Sequence, residues 1–284
     1  MNVSVVIPCY NAEPWLERQL EALARQSVEP WEVIVADNGS TDRSADLVRR
    51  FAALHPCFRL VDASTRKGAS AARNVGARFA TGDVLAFCDA DDEVAPDWIA
   101  GLQKALVEYD FVASRFDLTK LNPSIDYVHP QATGLIRDPT FDFLPRAGGC
   151  GLAIRRSIHE SVGGFDEAIG FHEDTDYCWK VQLSGTPLGW ASDALVHVQH
   201  RASAAARFRQ ARQWAASQVA VYKKYRRAGM PQISNRAALR EWAAMGGLIV
   251  GVAMGRVRSE KLAWRLGTRL GRLQGSIVCA TLLL

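Results

Sequence analysis

Along the first hundred residues, apolar positions fall into short runs separated by longer stretches of helical period. Val3, Val5, Val6 and Ile7 form the first run, nearly continuous and β-branched, as suits a strand buried on both faces. Residues 13–26 follow, with Trp15, Leu16, Leu20 and Leu23 at helical spacing. Residues 31–36 predict a second strand, and Asp37-Asn38-Gly39-Ser40 a turn. A helix over 42–53, a strand over 58–61, an alanine-rich helix over 69–80, a strand over 84–88 and a helix over 96–107 complete the series. This alternation predicts an α/β fold, a mostly parallel, Rossmann-like sheet flanked by helices.

The pattern weakens over 114–145, which carries prolines and no clear period, and reads as a long connection with short strands. Regularity returns at 148–154. Residues 173–183 read as a helix and 194–198 as a strand. After residue 200 the segments 204–227, 235–252 and 260–274 are helical in pattern. The organisation expected is a catalytic domain over 1–200 and a basic helical extension over 201–284.

Composition bounds this picture without changing it. Among 284 residues, 48% are hydrophobic, 23% charged and 22 are glycine, which excludes a disordered or collagen-like chain. The six cysteines have no CxxC or zinc-finger spacing, so reduced, buried thiols in a cytoplasmic protein are expected. The amino terminus lacks a signal-peptide pattern. The longest apolar run, 242–255, is fourteen residues, short of the roughly 20 that a spanning helix needs. The net charge of +4 conceals an asymmetry. Residues 201–284 hold sixteen Lys or Arg against two acids, a net of +14, and residues 1–200 carry −10.

Parallel sheets of this kind bind ligands outside the carboxyl ends of their strands. Pro8-Cys9-Tyr10-Asn11, Asp37-Asn38-Gly39-Ser40 and Asp89-Ala90-Asp91-Asp92 gather at that edge. Three carboxylates within four residues repel each other unless a cation or a set of donors neutralises them. Asp89 and Asp91 suit a hard divalent ion shared with a phosphate. Asp92 and Glu93 read as the first turn of the helix over 96–107. GxxxxGK[ST] is absent, and GxGxxG does not follow the first strand, which disfavours a P-loop NTPase or a dinucleotide oxidoreductase.

The ordered set of motifs resembles the family-two inverting glycosyltransferases, which have the GT-A fold. Val5-Val6-Ile7-Pro8-Cys9-Tyr10-Asn11 is similar to that family's first strand and loop. Asp37-Asn38-Gly39-Ser40-Thr41-Asp42 is similar to its second loop, where Asp-Asp is usual and this chain has Asn38. Lys67 to Gly76 is similar to its third signature, and Asp89-Ala90-Asp91 to its DxD. Gly163-Gly164-Phe165-Asp166-Glu167 resembles its acceptor-side loop, and Glu173-Asp174 its ED motif. The match covers roughly residues 1–200.

The resemblance implies sugar transfer from a nucleotide-diphosphate-sugar donor, most often a UDP-sugar, to a hydroxyl of a glycan or lipid-linked glycan in cell-surface polysaccharide synthesis. Pro8 and Tyr10 would line the nucleoside pocket, Asp37 would bind the base, and Lys67 and Arg73 would lie near the donor. Asp89 and Asp91 would hold Mn²⁺ or Mg²⁺, with His197 as a third ligand or His200 in its place. Asp174 would be the general base, its pKa raised by Glu173 and the diphosphate. Glu173, Gly164, Phe165 and Trp179 are the acceptor-side residues, although Trp179 also reads as core. Two rival readings are a sugar nucleotidyltransferase, which wants a glycine-rich basic loop after the first strand, and an inactive nucleotide-binding membrane scaffold.

The extension has its own candidate chemistry. Leu262, Leu266, Leu270, Leu273 and Ile277 form one helical stripe beside Lys261, Arg265, Arg269 and Arg272, and Gly267, Gly271 and Gly275 recur on another side. A basic amphipathic helix suits an anionic membrane surface, here the inner face of the cell membrane. The competing reading packs the leucines on the catalytic domain or on a second subunit of a homo-oligomer. Nucleic acid is not an expected partner, because no nucleic-acid-binding motif accompanies the charge.

Overall fold

A computed structural model describes residues 1–123, 128–137, 143–200, 204–232, 235–257 and 259–283. Parts of the irregular 114–145 segment and residues 201–203 at the expected domain boundary thus lie outside the described residues. The described residues form two compact units. The first comprises Met1–Arg137, Leu144–Ala168 and Glu173–His200; the second holds Ile169–His172 and the helices after His200.

The first unit is built on an eight-stranded sheet of order β3-β2-β1-β4-β7-β6-β8-β5. Its strands are β1 (Val3–Cys9), β2 (Glu32–Asp37), β3 (Phe58–Asp62), β4 (Val84–Phe87), β5 (Glu93–Val94), β6 (Phe111–Asp117), β7 (Leu152–Arg155) and β8 (Leu188–His197). β1 to β4 pair in parallel, β7 is antiparallel to β4 and β6, and β8 is parallel to β6. The helices are α1 (Glu13–Ala24), α2 (Ser44–Leu54), α3 (Ala69–Phe79), α4 (Trp98–Ala105), α5 (Arg156–Ser161) and α6 (Glu173–Leu183). The continuous apolar strands are buried as their sequence requires: Val5, Val6, Ile7, Ile34, Val35, Leu85 and Phe87 are all sealed from solvent.

The α/β alternation is therefore as the pattern predicts, with differences where local signals are short. Asp92 and Glu93 do not open a helix. Glu93 lies in the two-residue β5, paired antiparallel with His197, and α4 begins only at Trp98. A pairing with a strand a hundred residues away cannot be read from a two-residue run. β6 crosses the onset of the irregular segment, with its apolar run broken by exposed Arg115, and α5 is too short to show a period.

The second unit contains α7 (Ala204–Arg226), α8 (Asn235–Ala253) and α9 (Ser259–Cys279). α7 and α9 run parallel and close, because the glycines of α9 leave no side chain between them. A Cβ on Gly267 would meet the Phe208 carbonyl at 2.6 Å, and one on Gly275 the Ala216 carbonyl at 2.5 Å. Gly271 lies against the Arg212 carbonyl in the same way. Arg269, which the sequence places in the basic stripe beside the leucines, is buried.

This packing predicts that Gly271→Ala lowers stability by about 1–3 kcal/mol, the usual cost of overpacking. Gly246→Ala in α8, where nothing lies within 4 Å of the added Cβ, should be neutral or stabilising by up to about 1 kcal/mol. Thermal melts of the two variants check the contrast.

Candidate active site

The loops after β1 and β2 are tied together before any ligand arrives. Asn11, at φ +49°, accepts the Thr41 N–H at 2.7 Å and donates its own N–H to Ser40 Oγ at 3.0 Å. Asn tolerates this left-handed backbone better than most residues. Asp37, at the end of β2, accepts the Ser40 N–H at 3.3 Å. Asn38 is buried and fully used: its amide donates to the Ala63 and Arg66 carbonyls at 2.6 and 2.8 Å and accepts the Gly68 N–H at 2.8 Å. Two carbonyl partners need an NH₂ group, so an amide belongs where the family pattern has a carboxylate. Lys67 donates to the Asn38 carbonyl at 2.8 Å and stands 5.1 Å from the centre of the exposed Tyr10 ring. Pro8 is half-buried at the end of β1, in register with Ala36. Pro8 and Asp37 at the ends of β1 and β2, and Tyr10 and Lys67 on loops, are thus at one sheet edge.

The acidic loop after β4 is held from below by α1. Gln19 is sealed in the core, donates to the Asp89 carbonyl at 3.2 Å and accepts the Val94 N–H at 3.0 Å. Arg18 donates to the Asp91 carbonyl at 2.6 Å. Neither was singled out from the sequence, although one signal existed: Gln19 is a polar residue beside Leu16, Leu20 and Leu23 on the buried face of a helix.

Arg73 is the centre of the site. It is 3% exposed and pairs with Asp89 at 2.7 Å and Glu173 at 3.0 Å. Its guanidinium also stands 5.4 Å from the centre of the Phe165 ring. Burial alone would lower its pKa, but Asp89 and Glu173 outweigh that and raise it. Burial, and then Asp174, push Glu173 up, against the pull of Arg73. Asp174 is half-buried at the start of α6, and its carboxylate accepts the Thr175 N–H at 2.6 Å. Arg73 therefore links the DxD-like loop to the ED-like helix, bringing Asp89, Glu173 and Asp174 to one place.

Two acceptor-side residues fall elsewhere. Phe165 is 2% exposed and stacks on Tyr177 at 4.0 Å between ring centres, and Trp179 is equally buried with its indole N–H on the Leu144 carbonyl at 2.8 Å. Both are core side chains: Phe165 lies against Phe87 and Tyr177, and Trp179 against the Leu144 backbone. Gly164 is a turn residue at φ +66°, closed against Asn74. Asn74 accepts the Phe165 N–H at 2.8 Å and donates to the Phe165 carbonyl and to Glu167. His159, which had no evident partner in the sequence, meets the Tyr177 hydroxyl at 2.7 Å, and burial lowers its pKa to about 4.

Three side chains that could hold a cation lie together. Asp89, Asp92 and Cys150 bring ligand atoms within 4.8 Å of one another, a cluster that includes neither Asp91 nor His197. Asp92 is buried, accepts the Gln199 N–H at 2.8 Å through Oδ1, and has no hydrogen-bond partner at Oδ2. Burial, Asp89 and Asp91 push its pKa well up. His197 presents Nδ1 to Asp117 at 2.7 Å, the arrangement that orients a metal-binding imidazole through its other nitrogen. The strand holding His197 pairs with β5, so it runs beside the acidic loop. His200 gives its backbone N–H to Asn122 at 2.7 Å. The six cysteines are all free thiols.

A mixed sheet with parallel β1–β4, an acidic loop at its carboxyl edge and a second acidic pair opening α6 defines a GT-A-type glycosyltransferase fold. The chain belongs to glycosyl transferase family 2, whose model matches residues 4–163; a glycosyl transferase family group 2 model matches 136–283. Similar proteins include a pre-mycofactocin glycosyltransferase of Mycobacterium tuberculosis, 28% identical over 95% of this chain and 57% of the relative. An uncharacterized glycosyltransferase of Escherichia coli, YibD, is 40% identical over 38% of this chain and 31% of its own length. The chain thus spans little more than half of the first of these relatives and less of the second. Among solved structures, the mannosyltransferase PcManGT of Pyrobaculum calidifontis, in complex with GDP-Man and Mn²⁺, superposes with a TM-score of 0.71. It shares 22% identity over 96% of this chain and 86% of that one. Staphylococcus aureus TarS 1-349 in complex with UDP gives a TM-score of 0.57 at 16% identity, over 99% and 92%.

Two measurements check this geometry. Asn38→Asp should cost about 3 kcal/mol or more, because two carbonyls lose their donor and face a buried carboxylate; urea denaturation reads it. His159 stays neutral in the native state down to a pH of about 4, while the unfolded chain protonates it below about 6.5. Its contribution is therefore present above about 6.5 and lost as pH falls toward 4, on the order of 3 kcal/mol in all. His159→Asn should remove that part of the slope between pH 6.5 and 4.5 in denaturant titrations.

Proposed function

We propose that the chain is a metal-dependent inverting glycosyltransferase that moves a sugar from a nucleotide-diphosphate-sugar, most often a UDP-sugar, to a hydroxyl of a glycan or lipid-linked glycan. Cell-surface polysaccharide synthesis is the setting this acceptor class suits. The observation that carries the reading is the Arg73 bridge, which sets the DxD-like loop beside the ED-like helix. Donor and acceptor groups must meet at one point for transfer, and the bridge joins the two segments that would serve them.

In this mechanism Asp37 accepts a hydrogen bond from the nucleobase, and Tyr10 and Pro8 wall the nucleoside. Lys67, held over Tyr10, brings positive charge toward the diphosphate. Asp174 takes the proton of the acceptor hydroxyl as its oxygen attacks the anomeric carbon. The new carbon–oxygen bond forms on the face opposite the diphosphate, and the breaking bond leaves its electron pair on the diphosphate oxygen, so the configuration inverts. Arg73 pairs with Glu173 and so holds the start of α6.

Asp89 and Asp92 bring carboxylate oxygens together beside Cys150, and His197 carries an imidazole oriented by Asp117; with Asp91 moving toward them, these residues would suit a divalent ion. Mn²⁺ or Mg²⁺ held there would neutralise the diphosphate leaving group.

A thermal-shift screen of UDP-, GDP- and dTDP-sugars with and without Mn²⁺ tests the donor class; stabilisation by one nucleotide that depends on the ion is expected. Asp174→Asn should keep that shift and lose transfer by about 10²–10⁴-fold. A variant with full transfer activity removes Asp174 from the role of base.

A further inference from the structure

The second unit carries a surface that catalysis does not use. Along α9 the most exposed aliphatic side chains lie at its carboxyl end. Leu266 is 36% and Leu270 39% exposed, whereas Ile277 is 82%, Val278 79% and the following Leu282 62% exposed. This end is built rather than frayed. Ala280 turns the chain back at φ +47°, Ser276 Oγ bonds both the N–H and the carbonyl of Leu283 at 3.0 Å, and the Leu283 side chain is buried. The turn tucks Leu283 inside and leaves Leu282 outside, beside Ile277 and Val278.

Because α7 runs parallel to α9, its last turn ends at the same place. Lys223 donates to the Cys279 carbonyl at 2.7 Å. Lys224 and Arg226 share that turn, and Arg227 follows. Three outward aliphatic side chains therefore stand next to four cationic residues on one end of the helix pair. Water leaves such an apolar tip readily only if something apolar receives it.

Charge decides among the candidate occupants. Residues 201–284 hold sixteen basic and two acidic residues. A symmetric second copy would set this cationic end against itself, which like-charge repulsion opposes. An anionic lipid surface supplies both needs, headgroups for the cations and an acyl boundary for the aliphatic tip. Among the described residues no helix is long and apolar enough to cross a membrane, so the contact is a shallow one.

We propose that the carboxyl end of α9 is a membrane-docking tip. Ile277, Val278 and Leu282 enter the interfacial region of an anionic bilayer while Lys223, Lys224, Arg226 and Arg227 lie on its headgroups. The high exposure of Ile277, Val278 and Leu282 sets the polarity, with the carboxyl end of the helix as the deepest point.

The 284-residue chain is sedimented with vesicles of phosphatidylcholine containing about 30% phosphatidylglycerol, and with pure phosphatidylcholine vesicles. The wild type should bind the anionic vesicles at least tenfold more tightly. The triple variant Ile277→Ser, Val278→Ser, Leu282→Ser should lose at least tenfold of that affinity with an unchanged melting temperature, since all three side chains are exposed. Against the background of the eight native tryptophans, an Ile277→Trp variant should show additional quenching by brominated acyl chains on the anionic vesicles relative to the wild type. Absence of wild-type binding, undiminished binding of the triple variant, or a tryptophan that stays in water overturns the proposal. So does a wild-type dimer that the triple variant dissociates without any vesicle binding, which assigns the tip to a second copy.

Discussion

Arg73 sets the terms for the rest of the catalytic unit. A guanidinium at 3% exposure is tolerable only with carboxylates in contact, and the two it has come from Asp89 and Glu173, sixteen and a hundred residues away. Removing one partner of a buried ion pair typically costs about 3–5 kcal/mol, because the other charge stays buried without compensation. The end of β4 and the start of α6 are therefore tied to α3 by more than their own packing. The wall of the site respects this: a Cβ on Gly149 would come within 3.1 Å of the Arg73 guanidinium.

The neighbours of Arg73 extend the same logic. Asn74, one residue on, clasps the Phe165 backbone from both sides and reaches Glu167, while Arg66 pairs with Glu167 at 3.2 Å. Gly68 opens α3 at φ +123° and gives its N–H to Asn38, and Gly76 lies directly against Val6. The segment from Lys67 to Gly76 thus joins the β2 loop, the acidic loop and the Gly163–Glu167 turn. Much of its distinctive composition serves this joining, while Lys67 stays exposed beside Tyr10. Below the site, Gln19 and Arg18 perform a similar service for the acidic loop by bonding its carbonyls.

The two ends of the chain obey different constraints. The first unit spends its charges in pairs and hydrogen bonds around a buried sheet. The second packs α7 on α9 through glycines, which brings the backbones close and leaves several aliphatic side chains of α9, Ile277 and Val278 most of all, toward water. The near-neutral net charge of the whole chain is the sum of these two unlike parts.

The alternation of buried strands and amphipathic helices was legible in the sequence, because a strand sealed on both faces must be continuously apolar and a surface helix must repeat near 3.6 residues. The candidate residues at the strand ends were legible too, since polar and acidic groups there stand out against apolar runs. Contacts across the sheet order were not. Whether Phe165 meets an acceptor or stacks on Tyr177, whether Asp92 caps a helix or lies buried beside Cys150, and whether Asn38 is a lapse or a requirement all depend on segments far away in the chain. Residue type and local spacing determined which side chains could carry chemistry. Only the tertiary structure decided which of them face one another, because burial and ion pairing depend on neighbours that sequence spacing does not specify.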